Sequence, residues 1–159
     1  MTDVEVTGAA VPRFSRREMA EFVRKVLIAL RVDDDIHEVS IAIVDDDAMR
    51  TLNRQFRKKN KTTDVLTFPG DDSTHLGDIV ISVDQARRQA ADEKHSLPTE
   101  IRYLVLHGIL HSLGYDHETD SGEMNALELK VRAKVGLTTN PFFAVWIAGA
   151  TSSRKDFDP

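Results

Sequence analysis

The chain is 159 residues long, 41% hydrophobic and 30% charged, and has no cysteine. That is the length of one domain able to bury its own core, and the composition excludes a disordered chain, a disulfide framework and a Cys-ligated zinc. A net charge of −5 argues against a general nucleic-acid binder, whose binding domain is usually basic.

The opening MTDVEVTGAA lacks the basic-then-apolar layout of a signal peptide. Together with the missing cysteines, which suit a reducing compartment, this gives a cytoplasmic expectation. An edge strand is predicted near Val4 to Val6. Met19, Phe22, Val23, Val26, Leu27 and Leu30 recur at helical spacing, so residues 15–30 read as an amphipathic helix. Val39, Ile41 and Ile43 then alternate with Ser40 and Ala42 as a half-buried strand. Asp45, Asp46 and Asp47 offer a cap and favourable charge to a short helix over 47–55.

Between Asn53 and Lys61 the sequence is NRQFRKKNK, five cations and no acid, and reads as a basic loop. Such a patch on an acidic protein can still bind phosphate, because charges beyond about 8–10 Å are screened. Thr63 to Phe68 is a third strand, stopped by Pro69-Gly70, and Asp78 to Ser82 a fourth. A polar helix follows over 83–94. Pro98 opens another that runs from 97 to Leu113 and is ended by Gly114. Met124, Leu127, Val131 and Val135 mark a last helix, closed by Gly136. The expected fold is α+β: a single domain over 1–150, with about four strands in a mixed sheet, about five helices and a flexible tail over 151–159. The run Pro141 to Ala150 is far short of the roughly 20 apolar residues of a membrane helix.

Three of the six histidines fall in HGILHSLGYDH, as His107, His111 and His117. Residues four apart share a helix face, so His107 and His111 can point two imidazoles at one ion. Gly114 allows the turn that returns His117 to it. Three neutral imidazoles would hold one zinc ion and leave a fourth position for water, the layout of a catalytic site on a late helix and the turn after it. The Glu that follows the first His in H-E-x-x-H peptidases is replaced by Gly108. Loss of a general base costs typically 10²–10⁴-fold, which disfavours a peptidase. Phosphodiester hydrolysis fits better, since a cation beside the ion can stabilise charge gathering on oxygen.

HGILHSLGYDH, with the upstream FRKKNKTTDVLTFP and LGDIVIS, resembles the YbeY family of bacterial rRNA maturation factors, metal-dependent and single-strand-specific endoribonucleases. The resemblance implies zinc on His107, His111 and His117, and makes Arg57 the functional arginine. It also implies a role in 16S rRNA 3′-end processing, small-subunit maturation and ribosome quality control. The implied partners are single-stranded RNA, components of the small subunit and an assembly GTPase, with no membrane. Ser112 stands where the family usually has an apolar residue, and the stretch after Gly136 matches no motif.

Asp78 is a candidate to orient a ligand histidine, or more simply to cap or pair with a lysine. Asp116 and Glu118 flank His117 as candidate proton relays. Two other readings stand beside the ribonuclease. One is a zinc peptidase with an unconventional base, and the other a non-catalytic ribosome-assembly factor stabilised by zinc.

Overall fold

A computed structural model describes residues 1–115 and 121–137; His117, its neighbours Asp116 and Glu118, and the tail beyond Leu137 lie outside the described residues. In chain order the elements are β1 (Asp3–Gly8), α1 (Arg16–Ala29), β2 (Glu38–Val44), α2 (Asp46–Arg57), β3 (Val65–Pro69), β4 (His75–Ser82), α3 (Val83–Glu93), α4 (Leu97–Ser112) and α5 (Glu123–Val135). The four strands form one mixed sheet in the order β1-β2-β4-β3. β1, β2 and β4 run parallel, and β3 pairs antiparallel with β4 at the edge. The α+β expectation of a four-stranded mixed sheet with five helices therefore holds.

Period-two alternation gives the sheet two different faces. Val39, Ile41 and Ile43 of β2, Val65 of β3 and Ile79 and Ile81 of β4 form one face, packed under α1 and α4 in the main core. The helical stripe of α1 read from the sequence, Met19 to Leu27, is the stripe that is buried. The opposite face is thinner. There Met49 and Leu52 of α2 cover Ala42, Val44, Leu66, Phe68 and Val80. α5 packs outside α1 and α4 rather than on the sheet.

Side chains cap the first two helices. Ser15 caps α1 in a reciprocal capping box with Glu18. Asp45 caps α2 by accepting from the Ala48 N–H at 2.8 Å. β1 and β3 are offset from expectation by one or two residues at their ends, and two other boundaries differ more tellingly. α2 continues to Arg57 because Lys58 takes up the left-handed conformation that ends it, so Arg54 and Arg57 are helical and only the later cations lie in a loop. β4 starts at His75, three residues before Asp78.

Candidate metal centre

α4 begins at Ser96, whose hydroxyl accepts from the Thr99 N–H at 3.2 Å, with Pro98 in the first turn. From Glu100 to Leu110 nearly every residue is buried, because the helix lies between the sheet and α5. His107, 6% exposed, and the half-buried His111 stand one turn apart on it. Gly108 faces the sheet, where a Cβ would lie 2.8 Å from Ile79 Cγ2 and 3.5 Å from Val65 Cγ2. The position that carries the catalytic Glu in peptidases is therefore aimed into the core. After Ser112 the chain turns back through Gly114, at φ 101°. The Gly114 N–H donates to the His111 carbonyl and the Tyr115 N–H to the Leu110 carbonyl, at 3.0 and 3.1 Å. This is the paired bonding of a Schellman turn. His117 follows beyond Tyr115.

His107 is held from the far side. Its Nδ1 lies 2.9 Å from Glu128 Oε1 on α5, and Glu128 Oε2 accepts from Arg132 Nη2 at 2.5 Å. All three side chains are buried. The Arg132 guanidinium lies 4.6 Å from the Tyr103 ring centroid, and on the same ring His95 stacks at 5.4 Å. His95 Nε2 is in turn 2.6 Å from the fully buried Glu100. A chain of polar and aromatic contacts thus runs inside the α4–α5 packing and ends on His107.

Glu128 holds the place that sequence reasoning considered for Asp78. Asp78 is exposed on the other face of the sheet, opposite Phe68 and Ser40 in register. Sequence reasoning missed Glu128; the signal that could have found it is a charged residue at helical spacing between Met124 and Val131 on the buried face of α5.

Arg57, the last residue of α2, reaches the β3 edge, where its Nη2 donates to the Thr67 carbonyl at 3.4 Å. β3 is also the strand that Gly108 meets through Val65, on the sheet face opposite to the one that α2 covers. The loop after Arg57 is tied down. Buried Asn53 donates through Nδ2 to the Lys61 carbonyl at 3.0 Å, and Thr62 donates to Asp46 Oδ1 at 3.0 Å. Asp46 Oδ1 also accepts from Arg88 at 2.9 Å and from Ser82 at 3.2 Å. The Arg88 hydrogen bond, aided by those of Thr62 and Ser82, holds the Asp46 carboxyl below its usual range against the opposing effect of burial. Phe56, which precedes Arg57 in the chain, stands 61% exposed with its ring edge-on to Phe68 at 5.2 Å.

The donor set suits an ion that favours imidazole, such as zinc. His107 Nε2 and His111 Nδ1 are both sheltered from solvent, so an ion there would be largely dehydrated by protein. Among the described residues no group of three or more potential ligands comes together. The third histidine of the motif lies outside them. Among the described residues, too, no helix is long and apolar enough to cross a membrane.

Comparison with known proteins covers this whole region. A family profile described as Endoribonuclease YbeY matches residues 6–136. An Endoribonuclease YbeY of Nautilia profundicola is 48% identical over 105 residues, 65% of this chain and 76% of the relative. That of Solibacter usitatus is 44% identical over 130 residues, 82% of this chain and 80% of the relative. The solution structure of TM1509 from Thermotoga maritima is similar in fold, with a TM-score of 0.60 at 26% identity, covering 99% of this chain and 98% of that one. With the fold, the helix that carries His107 and His111 and the matching relatives all in agreement, this chain belongs to the YbeY endoribonuclease family.

Proposed function

We propose that the chain is a zinc-dependent, single-strand-specific endoribonuclease of the cytoplasm. It acts in 16S rRNA 3′-end processing, small-subunit maturation and ribosome quality control, with small-subunit components and an assembly GTPase as partners. The description shared by its relatives supports the reaction. The observation that supports the metal requirement is His107: a buried imidazole one turn from His111, with its Nδ1 engaged by a carboxylate, the arrangement that makes Nε2 the ligating nitrogen.

His107, His111 and His117 would hold one zinc ion with water as the fourth partner. When bound, zinc supplies Lewis acidity at the scissile phosphate and lowers the pKa of a water molecule. Arg57 binds phosphate oxygens and offsets the charge that builds on them in the transition state. Arg54, Lys58, Lys59 and Lys61 follow the backbone electrostatically. Exposed Phe56 gives an unpaired base a ring to stack on, a combination that suits single strands. Gly108 leaves no room for a peptidase's base, which weighs against the peptidase reading.

The test is cleavage of a single-stranded RNA spanning a 16S 3′ end by the zinc-loaded protein and by His111→Ala. Cutting by the native protein alone supports the proposal, and a 5′-phosphate or cyclic-phosphate end distinguishes water from the RNA 2′-OH as nucleophile. Equal cutting by both variants removes the metal requirement. If a folded, zinc-loaded native protein leaves the RNA intact, the assembly-factor reading replaces the enzyme.

A further inference from the structure

We propose that Glu128 is a positioning residue for the metal centre: clamped by Arg132, it fixes His107 in the tautomer that carries its proton on Nδ1 and offers Nε2 to the ion. The inference rests on His107 being a metal ligand. It adds a requirement on α5, an element that contributes no ligand of its own.

A neutral imidazole has one N–H and one lone pair, and the partner of one nitrogen decides the role of the other. Glu128 Oε1 lies 2.9 Å from Nδ1. Facing a guanidinium on its other oxygen, the carboxylate is an acceptor on both, so Nδ1 must be the donor. Both Glu128 oxygens are engaged within the protein, which makes it a support for a ligand and not a ligand. The site is also held rigidly. Glu128 is 3% and Arg132 1% exposed, and Arg132 lies against the Tyr103 ring from the helix that bears His107. The pair brings opposite charges into the core together, so Glu128 can stay there without water.

Arg132 makes this arrangement sensitive to a change that conserves shape. In Glu128→Gln the side-chain amide has one oxygen and one NH2. Arg132 has only donors, so it draws the oxygen toward itself and turns the NH2 toward His107. Nδ1 is then forced to accept, the proton moves to Nε2, and the nitrogen meant for the ion is blocked. Replacing Arg132 by Met as well leaves the amide able to turn over and present its oxygen to Nδ1.

Zinc affinity, measured by competition with a chromophoric chelator, separates the cases. Supporting changes around metal sites usually cost 10–100-fold, and E128Q is expected at the upper end, about 100-fold. The double variant E128Q/R132M is expected to return to within about tenfold of native although it carries one more substitution. The ring nitrogens of His107, read by 15N NMR in the metal-free proteins, should show Nδ1–H in the native chain and Nε2–H in E128Q. Native zinc binding that is lost in His111→Ala establishes the metal reading independently. If the native protein binds no zinc, or His111→Ala binds as well as native, that reading falls and takes this one with it. If the native protein binds zinc and E128Q binds as tightly, or the native His107 carries its proton on Nε2, the positioning role alone is overturned. The tautomer of the native protein decides the matter even if E128Q fails to fold.

Discussion

Gly108 and Ile79 touch so closely that a methyl group on the glycine Cα would sit 2.8 Å from Ile79 Cγ2. The glycine that breaks the peptidase pattern is therefore a packing residue. It lets α4 lie close on the sheet, against Ile79 and Val65.

Gly108→Ala should be nearly neutral or mildly destabilising. The gain in helix propensity, about 1 kcal/mol, is set against an overpacking cost of about 1–3 kcal/mol, since Ile79 is fully enclosed. Gly108→Glu would bury an uncompensated carboxylate and should cost more than about 3 kcal/mol without creating a peptidase. Denaturant unfolding and a casein assay check both; a stable, proteolytic Gly108→Glu would refute the packing account.

Arg57→Ala should lower the RNA cleavage rate by about 10²–10³-fold, the usual loss for one group that stabilises transition-state charge. Stability should move by less than about 1 kcal/mol, because the residue is half-exposed and its bond to Thr67 is long. Arg57→Lys should recover only part of the rate, since it keeps the charge and loses the planar fork. A variant as active as native would remove Arg57 from the site.

Phe56→Ala should weaken binding of single-stranded RNA by about 1–3 kcal/mol, the worth of one stacked base, with little effect on the fold. Fluorescence anisotropy at fixed salt measures it. The matching neutralisation of Lys58 should instead flatten the salt dependence of binding. Equal affinity with and without the ring would confine Phe56 to its contact with Phe68.

The Asp46 cluster predicts a pH effect. Its carboxyl sits below its usual 3.8 in the folded protein, so the unfolded chain binds the proton more readily. The stabilisation is fully present above pH 3.8 and is lost as pH falls through the folded value. Asp46→Asn should cost about 1–2 kcal/mol near pH 7, a figure held down by solvent around half-exposed Arg88. The gap between variant and native should close on acidification below pH 3.8. A gap that stays constant from pH 7 to 3 would show that the charge on Asp46 contributes nothing.

Helices with an apolar stripe or a start signal were legible in the sequence, because both are local: the Met19 to Leu27 stripe marks α1, Asp45 the start of α2 and Pro98 that of α4. The His107 and His111 pair was legible for the same reason, being a matter of helical repeat. Arg57 needed the family resemblance to be chosen over Arg54, because nothing in NRQFRKKNK tells which cation reaches β3. Glu128 was missed, although its place in the apolar stripe of α5 was a signal; its partner became evident only with α5 placed against α4. A glutamate in a helix ordinarily faces water, and only tertiary packing brings it to His107. Asp78 was considered for that role as a carboxylate that could orient a ligand histidine, yet the sheet's alternation turns it to the opposite face.

Helix α2 is pinned at both ends: Asp45 and Asp46 fix its start against α3 and the following loop, and Lys58 fixes its end. Arg57 is the last of its 12 residues. Removing any one residue between the two pins would swing the guanidinium by roughly 100° about the axis and draw it back by about 1.5 Å. The exposed positions of this helix can accept many side chains, but its length cannot drift. α2 measures out where a positive charge meets the edge of the sheet, and counting residues there matters more than naming them.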